Sequence, residues 1–280
     1  AAADFFGPRR LLQRLGRGRR CRYAVLIHGD ESAPRNMSTA PKFAEIDVDG
    51  PYAHSFLHSQ LSSDVQALDV GAGQFACYLN VDGRVQSLGF LRRTAEANFR
   101  WLLPADNAEA VAKRLTMYKL RAKCTVTQAL VDVAAGADAS IAGIPTHIAA
   151  GSGVTDPQWW NACIAAGVPW LTGAAQNEHL PQALGLQRLS AFSLKKGCYP
   201  GQEIVARTHY LGRVKRRLAW VDAGALPVGT ALSHADTDIG TIVASGDVRS
   251  LAVLREGEYI TLDAGGRAVG FSGWCDINHP

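Results

Sequence analysis

No apolar run in this 280-residue chain approaches the roughly 20 residues that a bilayer-spanning helix needs. No apolar core of a secretory signal is evident either. The six cysteines stand at 21, 77, 124, 163, 198 and 275, and none forms a CxxC pair. A zinc finger, or a resident iron–sulfur centre built by this chain alone, is therefore not expected. No internal repeat is visible. These absences leave a soluble globular protein in a reduced compartment, the cytoplasm by default. The 47% hydrophobic content is enough for a substantial core.

The charge is also missing where the formal +4 would suggest it. Residues 1–36 hold eight arginines, no lysine and three acids (Asp4, Asp30, Glu31), a local +5, so the chain from Met37 onward is near −1. The body does not read as a basic nucleic-acid binder. Residues 1–36 read as a leader, either upstream sequence or disordered, with Met37 as the natural start. If the Arg-rich stretch is a transit peptide, the destination is the mitochondrial matrix.

What is present alternates between two periods. "KFAEIDVDG" is a strand ending at Gly50, and "PYAHSFLHSQL" a helix presenting Ala53, Phe56, Leu57 and Leu61. "QFACYLNVDGRVQSLGFLRR" is a hairpin turning at Asp82-Gly83. "NFRWLLP" and "CTVTQALVDVA" are strands. Between them "DNAEAVAKRLTMYKL" is a helix, with Asp106 as N-cap and Glu109 completing a capping box. "DPQWWNACIAAGVPW" is a helix capped by Asp156 and ended by Gly167. After Gly212 short strand-like runs separated by glycine-rich turns signal a small β-barrel or sandwich. The expected organisation is α+β, with a leader at 1–36, an α+β region at 37–210 and a β-barrel at 211–280.

The densest local pattern is "SLKKGCYPGQEIVART", Ser193 to Thr208. Cations and a helix N-terminus both favour a thiolate, and Lys195, Lys196 and the helix start at Gln202-Glu203 surround Cys198 in sequence. Gly197 and Gly201 allow left-handed backbone, and Pro200 restricts the loop. The same residues would serve a loop-to-helix turn whose cysteine is a small buried hydrophobe, and the pattern does not choose between the two. Cys77, Cys124 and Cys163 sit in apolar contexts and read as core.

Lys196 to Glu203, "KGCYPGQE", resembles the K-G-C-[FY]-x-G-Q-E signature of the YgfZ folate-binding proteins, relatives of the glycine-cleavage T protein that take part in iron–sulfur cluster assembly or repair. "SFLHSQLSSDV", "LNVDGRV" and "LPQALGLQRL" are similar to further elements of that family, in the same order; Gly185 stands where an asparagine is usual. The resemblance covers most of the chain from Met37 and excludes the leader. It implies T-protein-like α+β lobes around a central folate-sized opening, with a C-terminal barrel. It implies tetrahydrofolate or a derivative as cofactor. Trp159 occupies the position of a family tryptophan associated with folate contact, and Phe43 that of a second aromatic. Core packing would explain both rings equally well. Tyr199, Gln202, Glu203 and Arg207 complete the expected cofactor site, and Cys198 and Lys196 the chemically active pair.

The implied function is a folate-binding accessory protein for iron–sulfur enzymes, including radical enzymes that modify tRNA. Its partners would be folate and those enzymes or their assembly proteins, with no membrane. An enzyme is not expected. The alternative is a folate-dependent aminomethyl or one-carbon transferase, but the family's transferases need an acid just after the hairpin, and Gln86, Ser87 and Leu88 are neutral. A cysteine hydrolase lacks an assignable His/Asp pair; His209 is only a nearby candidate. The basic cluster Arg207, Arg213, Lys215, Arg216 and Arg217, with Tyr210 among it, reads as a charged strand edge. Direct nucleic-acid binding is not expected, and the protein is expected to be a monomer.

Overall fold

A six-stranded antiparallel sheet lies between two hydrophobic cores. Its strands are β1 (Phe43–Asp49), β2 (Gly73–Leu79), β3 (Val85–Ala95), β4 (Asn98–Pro104), β5 (Thr125–Ile141) and β6 (Ile144–Ala150), in the order β2-β3-β4-β1-β5-β6. The computed structural model describes residues 40–120 and 122–275. What was expected of residues 1–36 lies outside the described residues.

β1 shows how the period-2 pattern builds both cores. It is central, so both of its faces are covered. Ala44, Ile46 and Val48 join the core under the helices α1 (Ala53–Gln60) and α2 (Ala108–Tyr118). Phe43 joins the other core, with Trp159 and Trp160 of α3 (Pro157–Ala165) and Trp170. Glu45, on the Phe43 face, is buried but paired with Arg92 at 2.5 Å.

Past α4 (Gln202–Leu211), six short strands close into an antiparallel barrel: β7 (Arg216–Asp222), β8 (Ala231–His234), β9 (Thr237–Ser245), β10 (Ser250–Arg255), β11 (Thr261–Asp263) and β12 (Ala268–Trp274). The structure is thus α+β with a closed C-terminal barrel. Leu232, Ile242, Ala252 and Leu262 contribute to a core of its own. Leu218, Val243, Leu251 and Val253 pack instead into the sheet–α3 core. Indole N–H groups fasten α3 to the barrel. Trp160 Nε1 donates to the Ser245 carbonyl at 2.8 Å, and Trp220 Nε1 to that of Ile164 at 3.0 Å. Among the described residues no helix is long and apolar enough to cross a membrane.

One local expectation needs correction. The N-cap of α2 is Asn107, not Asp106, and it makes no side-chain cap bond. Asp106 instead accepts from Gly173 N at 2.8 Å and Gln176 Nε2 at 2.9 Å. β6 carries no sequence signal strong enough to read, because Pro145 interrupts it. Proline is tolerated there because β6 is an edge strand.

Candidate functional site

The loop that carries Cys198 is fastened at several points. Its entry is set where Ser193 N donates to the Ser62 carbonyl at 2.8 Å. Ser193 Oγ then accepts from the amides of Lys195 and Lys196, at 3.2 and 3.3 Å. Lys196 crosses to the C-terminal end of α1. Its buried Nζ donates to the carbonyls of His58, Leu61 (2.5 Å) and Ser63 (3.0 Å). A helix end leaves its last carbonyls without intrahelical donors and carries partial negative charge, so an ammonium suits it on both counts. Burial pushes this ammonium down to about 8, and the Asp64 carboxylate acts in the other direction. The same Nζ lies 4.9 Å from the centre of the Tyr199 ring, whose hydroxyl donates to the Ser193 carbonyl at 3.1 Å. Burial raises the Tyr199 phenol further above its ordinary range.

The loop's exit depends on glycine. Gly201 has φ +78°, and a Cβ there would stand 2.5 Å from the Asn80 carbonyl oxygen and 2.7 Å from Gly83 Cα. The β2–β3 turn and the loop therefore abut through two glycines. Gly197 does not adopt left-handed φ, and a Cβ on it would meet nothing. Gln202 Nε2 closes the loop by donating to the Lys196 carbonyl at 3.4 Å.

Against this fixed backbone, Cys198 is exposed. The other described cysteines, 77, 124, 163 and 275, are buried. Burial pushes the thiols of Cys77 and Cys163 up to about 12 and raises that of Cys124. No cluster of three or more His, Cys, Asp or Glu that would hold a metal occurs among the described residues. Lys196 was expected to supply positive potential to the thiol; its ammonium is engaged with three carbonyls of α1 and the turn after it.

The rings lie elsewhere. Phe43 meets Trp159 edge-on at 5.4 Å and Trp170 edge-on at 5.1 Å, each at 86°. Trp159 is 1% exposed, and Phe43 and Trp170 are fully buried. Trp159 Nε1 donates to the buried Thr146 Oγ1 at 2.9 Å, whereas Trp170 Nε1 meets no oxygen acceptor and has only the Cys163 sulfur beside it. The cluster supplies aromatic rings and an indole donor with no oxygen partner, which fit a pterin in kind. A flat ring enters it only if the packed rings part.

Of the six expected cofactor contacts, ring contact joins only Phe43 with Trp159. Tyr199 and Gln202 hold the loop, while Glu203 and Arg207 are exposed on α4. Where a transferase would need an acid, Ser87 Oγ donates to Asn107 Oδ1 at 2.9 Å and Asn107 Nδ2 to the Gln86 carbonyl at 2.9 Å, a closed neutral pair. Sequence reasoning did not single out Ser62, Asn107 or Thr146, all buried polar groups that bond to other elements of the fold.

No protein-family model matches the chain. A protein of Haemophilus influenzae described as uncharacterized is 30% identical over 191 residues, 62% of this chain and 68% of that protein. The tRNA-modifying protein YgfZ of Edwardsiella ictaluri is 27% identical over 258 residues, 75% of this chain and 76% of that one. Its counterpart in Serratia proteamaculans is 39% identical over 101 residues, covering 36% of this chain and 31% of that protein. Among solved structures, the glycine cleavage system aminomethyltransferase T from Bartonella henselae is similar with a TM-score of 0.64, over 85% of this chain and 83% of that one. At 16% identity the likeness is one of fold.

Proposed function

The chain belongs to the YgfZ/T-protein-like family, and from that premise we propose that it is a folate-binding accessory protein for iron–sulfur enzymes, including those that modify tRNA. The observation that carries this reading is the presentation of Cys198: an exposed thiol on a backbone that Lys196, Tyr199 and Gln202 hold in place. A soft sulfur ligand that must meet an iron or sulfur atom of a client needs both exposure and a fixed position. The cytoplasm, a reduced compartment, suits a thiol that must stay free.

Tetrahydrofolate, when bound, supplies nitrogens that carry one-carbon units. Phe43 and Trp159 would hold its pterin by ring contact, and Trp170 would supply an indole donor. The Ser87–Asn107 pair has no carboxylate with which to organise proton transfer, which favours binding over aminomethyl transfer.

Rescue of a bacterial strain lacking its own family member tests this reading, with thiomethylated tRNA as the readout. Wild type should restore it, and Cys198→Ser should not, although that variant folds and quenches its tryptophan fluorescence with tetrahydrofolate like wild type. Full rescue by Cys198→Ser, or no quenching by tetrahydrofolate in wild type, would overturn the proposal.

A further inference from the structure

A second site lies apart from the loop and the rings. The β2–β3 turn, α4 and the segment entering β7 enclose a cleft of about 870 Å³. His179, 8% exposed, is part of its lining. Arg84 faces it from the turn, Lys215 and Arg216 from the start of β7, and Thr208 contributes a hydroxyl from α4.

Arg84, Lys215 and Arg216 form no ion pair among the described residues. Arg216 stands opposite another arginine, Arg255, in the β7–β10 register. The neighbouring Glu256 is taken by Arg213 at 2.9 Å and Arg217 at 3.3 Å. Among the described residues no carboxylate pairs with Arg84, Lys215 or Arg216, and the Arg84 side chain donates to the Glu178 carbonyl instead. Asp82 and Glu178 also line the cleft, without forming an ion pair there. His179 registers the result: burial first, then the charges of Arg216 and Arg84, push it down to about 4.

The unpaired cations Arg84, Lys215 and Arg216 outnumber the two carboxylates that line the cleft, Asp82 and Glu178, and an anion relieves the excess positive potential. Two guanidinium forks, an ammonium and a hydroxyl offer donors to several oxygens at once. A tetrahedral phosphate uses more of that set than a planar carboxylate, which one fork satisfies. We propose that the cleft between α4, the β2–β3 turn and β7 binds a phosphate group through Arg84, Lys215 and Arg216, beside the His179 ring. The phosphate belongs either to a small phosphorylated molecule or to the backbone of a nucleic-acid strand, and the two sources are separated by experiment.

The full chain is titrated with inorganic phosphate and, separately, with a short RNA strand lacking terminal phosphates. Calorimetry gives affinity, and the His179 ring resonance locates the site. Phosphate should move that resonance, and Arg216→Gln should weaken binding roughly tenfold. Lys113→Gln, which removes an exposed charge from α2, should change nothing. RNA that binds, competes with phosphate and weakens with Arg216→Gln identifies a strand as the source. Phosphate binding without RNA binding identifies a small molecule. Failure of both probes to move the His179 resonance overturns the proposal. So does phosphate affinity unchanged in Arg216→Gln, or glutarate binding as tightly as phosphate with the same dependence on Arg216.

Discussion

Around Cys198 the backbone is held and the side chain is free; around Trp159 the side chains hold one another and almost nothing of them reaches solvent. The loop presents its thiol without rearrangement, as the proposed contact with a client's cluster requires. The ring cluster is closed, so a ligand that uses it displaces packing before it gains contacts. The same family resemblance points to both regions, yet one presents its thiol to solvent and the other is closed to it.

Substitutions should separate the two. The largest effect is expected in the rings. Trp159→Ala should cost about 3–5 kcal/mol in urea unfolding, because it empties a packed core position and removes the indole donor to Thr146 Oγ1, which keeps only its own bond to the Ile144 carbonyl. Trp159→Phe keeps most of the volume and is the better test of pterin stacking. A Trp159→Ala protein as stable as wild type would show that the cluster is already loose.

Lys196→Ala comes next, at about 3 kcal/mol, because buried carbonyls of Leu61 and Ser63 lose their donor. Lys196→Arg should recover little, since a planar fork cannot replace a compact ammonium among three carbonyls. Neutral stability in Lys196→Ala would mean that the lysine does not fasten the loop.

A smaller effect should appear with pH. His179 has a folded value of about 4 against 6.5 unfolded, so the unfolded chain binds the proton first. Stability contributed by neutral His179 is complete above 6.5 and falls as pH drops from 6.5 toward 4, by at most about 1.4 kcal/mol per pH unit. Urea unfolding of wild type and His179→Gln across that range measures it. Parallel pH profiles for the two proteins would remove His179 as the cause.

The fold was legible where one period dominates. The alternation of β1 and the spacing of Ala53, Phe56 and Leu57 on α1 reappear as buried faces. Asp156 caps α3 by accepting from Gln158 N at 2.9 Å, as its position before Pro157 suggests. The cap of α2 was not legible, because Asp106 and Asn107 are turned by partners in other elements. In the loop, the left-handed glycine at 201 could be anticipated. The engagement of Lys196 could not, because its acceptors lie 133 to 138 residues earlier in the chain. A lysine beside a cysteine in sequence suggests a charge acting on the thiol, and only the fold shows that charge turned toward a helix end.

The central claim is that the loop offers Cys198 while its backbone stays fixed, and residue-resolved alkylation of the native protein tests it most directly. Cys198 should be labelled at once, at a rate that low urea leaves unchanged, while Cys77, Cys124, Cys163 and Cys275 react only as the protein unfolds. Cys198→Ser, an exposed replacement, should shift stability by no more than about 0.5 kcal/mol. Labelling of Cys198 that waits for unfolding, together with the four buried thiols, would contradict the account and leave the loop a structural turn.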